Sequence, residues 1–429
     1  MRILRIKNQK MIIKFSISNY KSFKDKKTLS FIPSSITGLE EENIIRTKKL
    51  DLLKSVGLYG PNAGGKSNLL DGLIFMRWYI INSSKNTQAN EAIDVDPFRL
   101  NSSSENEPSF FEVEFLIKNT RYRYGFEANK EEIVTEWLFE SLKTKEYPCF
   151  LRNKQEIKIW ERFKEGKKLE DKTRANALFI SVVSQFNGKK ASLIVDWFFQ
   201  LTPVHGLNTS LSNYSSKTIE LLLDKDHRNK LKELILKADF AIEDIEFIEM
   251  DKEQIRSSLS KDKLAAFNER YDMMTTIGRV NTSHSKYDAH LNKIGIEIFN
   301  LEQEESEGTK KFFNIMGFLY DAITKGKIIV MDELNARFHT FLSMSILQMF
   351  NSKKNINGQI VFVSHDTNLM RNTLLRRDQI YFVEKDSYGS SNLYSLVEYK
   401  SRKEAPIEKN YLEGKFGGIP MIDALVDNF

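Results

Sequence analysis

The chain of 429 residues is too long for one ordinary hydrophobic core, so two or three structural units are expected. Apolar residues make up 41% and charged residues 28%, as in soluble globular proteins, and no apolar run approaches the ~20 residues of a membrane span. The formal charge of +6, from 64 basic against 58 acidic residues, is small for this length; it permits nucleic-acid contact without arguing for it.

The first residues, Met1 to Arg5, lack the apolar stretch of a signal peptide, and a cytoplasmic location is expected. Met11 to Asn19 alternates like a strand. The lysine run Lys24–Lys27 fits a solvated face. Leu52 to Tyr59 reads as a second strand and runs straight into a glycine-rich loop. Leu69, Leu70, Leu73, Ile74 and Met76 then form a helical stripe between Asn68 and Ile81. From about Ser109 to Trp160, alternating segments separated by turn residues predict an antiparallel meander with one wet face. The single cysteine, Cys149, lies there; it excludes an internal disulfide and reads as a buried, inert thiol. Ala177 to Val183 is a buried strand or a helix start, which periodicity alone does not decide. Residues 190 to 290 are mostly helix-like with polar breaks, and no internal repeat or sustained heptad is present. After about Ile294, short buried strands at Lys327–Met331, Gln359–Val363 and Ile380–Val383 alternate with helix at Phe341–Phe350.

Gly60-Pro61-Asn62-Ala63-Gly64-Gly65-Lys66-Ser67 matches the phosphate-loop pattern Gly-x4-Gly-Lys-Ser without exception, in the strand–loop–helix context it requires. Its glycines let backbone N–H groups converge on phosphate oxygens at a helix N-terminus, with Asn68 opening that helix. Lys66 is expected to reach the β- and γ-phosphates, and Ser67 to ligate Mg²⁺. The run ending in Asp332-Glu333 reads as a Walker B strand: Asp332 would hold Mg²⁺, and Glu333 would polarise the attacking water. Val361-Phe362-Val363 ends in His365, at the spacing of a switch histidine that contacts the γ-phosphate. Asp332 lies more than 260 positions after Gly65, so a large insertion splits the core. Before it, Ser306 and Gly308 begin an amphipathic helix, where cassette ATPases place a Ser-x-Gly signature serving the other protomer's nucleotide. Ser306 also suits a plain N-cap, and both readings can hold. Gln185 is a candidate Mg²⁺-sensing glutamine or, equally, a surface residue.

These pieces predict an α/β fold: a P-loop head of the ATP-binding-cassette kind, with an antiparallel β subdomain and a mainly helical insertion. The expected boundaries are 11–187 for the N-terminal lobe, 188–294 for the insertion and 295–429 for the C-terminal lobe. ATP and Mg²⁺ are the expected cofactors.

In this order the motifs resemble the AAA-type ATPases of bacterial abortive-infection and restriction-associated loci, the RloA/AbiL-like ATPases, which are related to the ATPase half of OLD proteins and to RecF and SMC heads. The resemblance rests on Phe15–Phe23, the phosphate loop, Tyr122–Phe126, Glu136–Leu138, Glu305–Thr309, Asp332–Leu334, Ser364–Thr367, Arg377–Ile380, Tyr411–Gly414 and Gly418–Pro420. It covers most of the chain except roughly 190–290. The family usually has an aspartate where this chain has Asn335, and a His-Pro pair where it has His339-Thr340; the changed charge bears on communication between protomers. No Toprim-like Asp-x-Asp strand end follows His365, and one cysteine with six scattered histidines builds no zinc cluster. The resemblance therefore implies an ATPase without its own nuclease. It would be a sensor or scaffold in an antiphage system, forming a homodimer or higher homo-oligomer through ATP-sandwiched heads and working with a separately encoded effector. The alternatives are a RecF-like DNA-binding repair ATPase and a scaffold that binds ATP but barely hydrolyses it.

Overall fold

The computed structural model describes residues 10–85, 88, 90–142, 145–206, 211–238, 240–258, 260, 277–399 and 406–419. The chain divides into two compact units. The first comprises Met1–Val204, Ala322–Asn335 and Ser343–Phe429; the second comprises His205–Asp321 and Ala336–Leu342. The fold is mixed α/β, as expected. Among the described residues no helix is long and apolar enough to cross a membrane.

Among the described residues, two large sheets build most of the first unit. Strands β1 (Lys10–Ser18) and β2 (Lys27–Ser30) join a meander of β6 (Ser109–Ile117), β7 (Thr120–Ala128), β8 (Ile133–Leu142), β9 (Lys145–Asn153) and β10 (Glu156–Ile159). Short strands β3 (Ile44–Ile45) and β4 (Leu52–Leu53) pair separately, after the one-turn helix α1 (Glu40–Asn43). The meander sheet has the order β10-β9-β8-β7-β6-β1-β2 and is antiparallel throughout. Alternation along the strands sends Phe15, Phe111, Phe115, Tyr124, Phe126 and Phe150 into the core, all at most 1% exposed. Cys149 is fully buried, and burial pushes its thiol up to about 11, consistent with an inert group.

The second sheet carries the motifs. β5 (Ser55–Tyr59), β11 (Leu201–His205), β15 (Ile328–Asp332), β16 (Gln359–Val363), β17 (Ile380–Lys385) and β18 (Ser391–Ser395) lie in the order β11-β15-β16-β5-β17-β18. β15, β16, β5 and β17 pair in parallel, and only β18 is recorded running antiparallel to its neighbour. Parallel central strands are covered on both faces, which is why β5 and β16 are mainly apolar and buried at every position. Helix α2 (Lys66–Asn82) follows β5. Buried Gln359 links the sheets: its amide accepts from Ile12 N at 2.8 Å and donates to the carbonyls of Ile12 and Leu53.

The undecided segment at 177–183 is resolved as a helix start. Helix α3 (Phe179–Gln185) begins there, followed by α4 (Lys189–Phe198). Glu136, wholly buried, anchors it by accepting from Phe179 N at 2.7 Å, Ile180 N at 3.0 Å and the Tyr124 hydroxyl at 3.0 Å. Arg152, also wholly buried, stands 3.5 Å away.

The second unit contains helices α5 (Leu211–Leu223), α6 (Arg228–Leu236), α7 (Lys252–Ser258), α8 (Leu301–Glu304) and most of α9 (Glu307–Lys325). It also holds an antiparallel sheet of β12 (Asp244–Met250), β13 (Ile277–Tyr287) and β14 (Lys293–Asn300). The span 190–290, expected to be mostly helix-like, carries helices but also β11, β12 and β13. The sheet's inward face is Ile245, Val280 and Thr282, a row with too little apolar character to announce a strand. Much of the segment Ser257–Thr276 lies outside the described residues.

Candidate nucleotide site

The parallel register brings three strand ends to one edge of the sheet. Leu58 pairs with Val363, and Met331 pairs with Phe362. Gly60, Asp332 and His365 therefore all emerge just beyond the last paired residues, outside the carboxyl ends of the strands, where such sheets bind ligands.

The loop between β5 and α2 has no room for side chains at its glycines. A Cβ on Gly60, at φ 141°, would lie 2.1 Å from the Val383 carbonyl oxygen; one on Gly64 would lie 2.5 Å from the same oxygen. Gly65 has φ 111°, and its Cβ would meet Ser391 Oγ at 2.2 Å. These close approaches wrap the backbone around the start of α2, so that its N–H groups face one small volume. The Ser391 hydroxyl donates to the Gly64 carbonyl at 2.6 Å and lies 2.7 Å from Ser22 Oγ, which also accepts from Asn68 Nδ2 at 2.7 Å. Asn68 thus braces the loop through Ser22. Asn62 is exposed at the loop's tip.

Lys66 is 5% exposed, and its ammonium donates to the Gly60 carbonyl at 2.9 Å and the Pro61 carbonyl at 2.7 Å. An ammonium has three donors, so one direction remains for an anion. Burial lowers the Lys66 pKa to about 8, against the opposing pull of Asp332 and Glu333. Ser67 Oγ donates to Asp332 Oδ1 at 3.2 Å, uniting residues 265 positions apart. β15 ends at Asp332, and Glu333 turns into the left-handed region at φ 54°, costing about 1 kcal/mol for a residue with a side chain. Leu334 N, bonded to the Val363 carbonyl at 3.0 Å, fixes that turn.

His365 stands in the same electrostatic neighbourhood. Partial loss of solvent, and then Lys66, hold its pKa below the ordinary histidine value; Glu333 and Asp332 pull the other way. Its backbone is held by Asn335, whose Oδ1 accepts from Ser364 Oγ at 3.0 Å and His365 N at 3.3 Å.

The structure therefore brings Gly60, Gly64, Gly65, Lys66, Ser67, Asn68, Asp332, Glu333 and His365 together. It does not bring Gln185 there. The hydroxyl of Ser181, one turn earlier on α3, donates to the Ile80 carbonyl at 2.6 Å. Ile80 is about 21 Å along α2 from Lys66 at 1.5 Å per residue. Gln185 is exposed, which matches its surface reading. Ser306 and Gly308 lie in the second unit. Ser306 Oγ accepts from Thr309 N at 3.1 Å, an N-cap on α9. A Cβ on Gly308 would stand 3.0 Å from the Arg337 carbonyl oxygen. His339 is exposed, with its ring 5.2 Å from that of Phe341.

Sequence alone announces no site role for Ser22, Ser391 or Asn335. The first two are far from the loop in sequence, and no short pattern links them. Asn335 stood out only as a departure from the family pattern.

The residues present suit a magnesium nucleotide: glycines leave a cradle, a buried ammonium faces it, and a hydroxyl and a carboxylate converge beside it. Mg²⁺ takes few protein ligands and shares the rest of its shell with phosphates and water.

The chain is similar in structure to the SMC head domain from Thermotoga maritima, with 12% identity and a TM-score of 0.40 over 90% of this chain and 98% of that one. It is also similar to an SMC head bound to the C-winged helix domain of ScpA, at 11% identity and a TM-score of 0.44, covering 90% and 97%. A third is an SMC head domain with an extended coiled coil, bound to the C-terminal domain of ScpA derived from Pyrococcus furiosus, at 11% and 0.38, covering 95% and 99%. No curated protein matches the chain. A family model described as "AAA domain, putative AbiEii toxin, Type IV TA system" matches residues 55–371.

Proposed function

The chain belongs to the AAA-domain family that carries the AbiEii name, and from that premise we propose an ATP-binding and ATP-hydrolysing head that serves as sensor and scaffold in an antiphage abortive-infection system. The observation that carries the ATPase reading is the Ser67–Asp332 contact beside buried Lys66. Two sequence-remote residues meet where a phosphate-bound cation belongs.

Ser67 and Asp332 would hold Mg²⁺, which supplies neutralisation of charge on the phosphate oxygens. Lys66 and the N–H groups from Gly64 to Ser67 bind and orient the β- and γ-phosphates. Glu333 accepts the proton of the attacking water, and His365 hydrogen-bonds to the γ-phosphate. Positioning and electrostatics of this kind account for most of the catalysis of phosphoryl transfer.

The kinship with RloA/AbiL-like ATPases, a cytoplasmic location and a separately encoded effector belong to the same proposal. So does a homodimer or higher homo-oligomer in which Ser306 and Gly308 of one copy face the nucleotide of the other. The insertion around 188–294 is proposed to serve assembly or contact with the effector. ATP biases such a switch only by differential affinity for its two states, so effector binding should differ between Glu333→Gln and Lys66→Ala chains.

The test expresses the gene alone and with its neighbouring gene, challenges both strains with a phage panel and pulls down the tagged ATPase. Nucleotide-dependent co-purification of the neighbour's product, with protection that needs both genes, is the expected result. Full protection by this gene alone, with intrinsic nuclease activity, would overturn the partner model. Tight, salt-sensitive DNA binding by the isolated chain would favour a repair ATPase instead.

A further inference from the structure

Glu305 immediately precedes Ser306, and in the second unit its carboxylate is gripped from one strand. Thr282 Oγ1 donates to Glu305 Oε1, and His284 Nε2 lies 2.7 Å from the same oxygen. Residues 282 and 284 are two apart on β13, so both present to one face of the sheet. The other ring nitrogen, His284 Nδ1, stands 3.0 Å from the Ala241 carbonyl oxygen. A carbonyl oxygen only accepts, so Nδ1 carries a hydrogen. A neutral ring would then aim the Nε2 lone pair at a carboxylate oxygen, and the two would repel. The 2.7 Å contact therefore has a hydrogen between ring and carboxyl, and it ties the two side chains together. The Phe299 ring covers the imidazole, with centroids 4.7 Å apart, and the Glu305 side chain is 8% exposed.

Helix α9 does not need this grip for its own end, because Ser306 already caps Thr309 N. What the grip fixes is the residue that delivers the chain to Ser306. We propose that His284, assisted by Thr282, is a positioning residue for Ser306. By holding Glu305 it sets the Ser306 hydroxyl and the adjoining N–H groups of Glu307 and Gly308 for the terminal phosphate of a nucleotide carried by a second copy of this chain. This rests on the role proposed above for Ser306. His284 touches no nucleotide of its own chain in this scheme. Its loss therefore acts on turnover and spares ATP affinity.

The experiment compares full-length wild type, Ser306→Arg, His284→Ala and Glu305→Gln. ATP affinity is read by fluorescent-nucleotide binding, and kcat and KM by steady-state hydrolysis. Both His284→Ala and Glu305→Gln should bind ATP within about two-fold of wild type and lose kcat by about ten-fold or more. Mixing His284→Ala with Lys66→Ala should restore turnover, because the first chain supplies the phosphate loop and the second an intact Ser306. Mixing it with Ser306→Arg should not. Glu305→Gln keeps the side chain's shape and carries the test if His284→Ala unfolds. Wild-type kcat in both pair variants alongside an inactive Ser306→Arg would overturn the positioning role and leave the Ser306 reading standing. Wild-type kcat in Ser306→Arg would overturn that reading itself. Loss of ATP binding in parallel with kcat would mark a merely structural pair and also overturn the proposal.

Discussion

Lys66 reaches its place already stripped of most solvent, and burial brings its pKa down to about 8 against an ordinary 10.5. Between those values the folded chain binds fewer protons than the unfolded chain. The cost of the buried charge is thus present in full below about pH 8 and is relieved as pH climbs toward 10.5. Nucleotide phosphates favour the charged form, so ATP binding near pH 8.5 should take up a proton, and affinity should fall as pH rises past 8. Calorimetry in buffers of different ionisation enthalpy measures that uptake; Lys66→Ala should show none. Asn335 offers a second residue-scale outcome. Asn335→Ala removes the acceptor shared by Ser364 Oγ and His365 N and should lower kcat by about ten-fold, while Asn335→Asp, which keeps an acceptor oxygen, should not. The phosphate loop and the two carboxylates were legible in sequence because a few residue types at fixed spacing serve their chemistry. Ser22 and Ser391 were not, because they act only through a contact between segments 369 positions apart. For Gln185 the sequence leaves two readings open, and its exposure on α3, whose Ser181 binds the far end of α2, matches the surface one.

At the scale of elements, several motifs noted for family resemblance turn out to hold the frame. Glu136 ties the meander to the start of α3 through two backbone N–H groups. Asp378, buried with Arg376, accepts from the backbone and hydroxyl of Ser34, and Gln379 donates to the Ser55 carbonyl at 2.9 Å where β5 begins. Glu136→Ala would leave the buried Arg152 charge without its carboxylate, and the N–H groups of Phe179 and Ile180 without their acceptor. It should destabilise the protein by about 3 kcal/mol, read as a lower urea midpoint at unchanged slope. Strands β5, β15 and β16 were readable because strands buried on both faces are mainly apolar runs, here broken only by an end residue such as Ser55, Asp332 or Gln359. The sheet of the second unit was not, because Ile294, Ile296 and Ile298 of β14 point outward at 55–60% exposure while Thr282 points inward. The usual equation of apolar with inside fails on that strand.

For the whole molecule, the parallel sheet determines which distant segments can cooperate. It sets the phosphate loop, Asp332-Glu333 and His365 side by side although the second unit intervenes in sequence. The central claim is that this constellation hydrolyses ATP, with Lys66 capturing the nucleotide and Glu333 activating water. The most direct test measures ATP binding and turnover together in wild type, Lys66→Ala and Glu333→Gln. Lys66→Ala should bind ATP at least about ten-fold more weakly, the worth of one lost charge-assisted hydrogen bond. Glu333→Gln should bind ATP as wild type does, turn it over about 100-fold more slowly and retain it unhydrolysed. Wild-type turnover by Glu333→Gln would contradict the account.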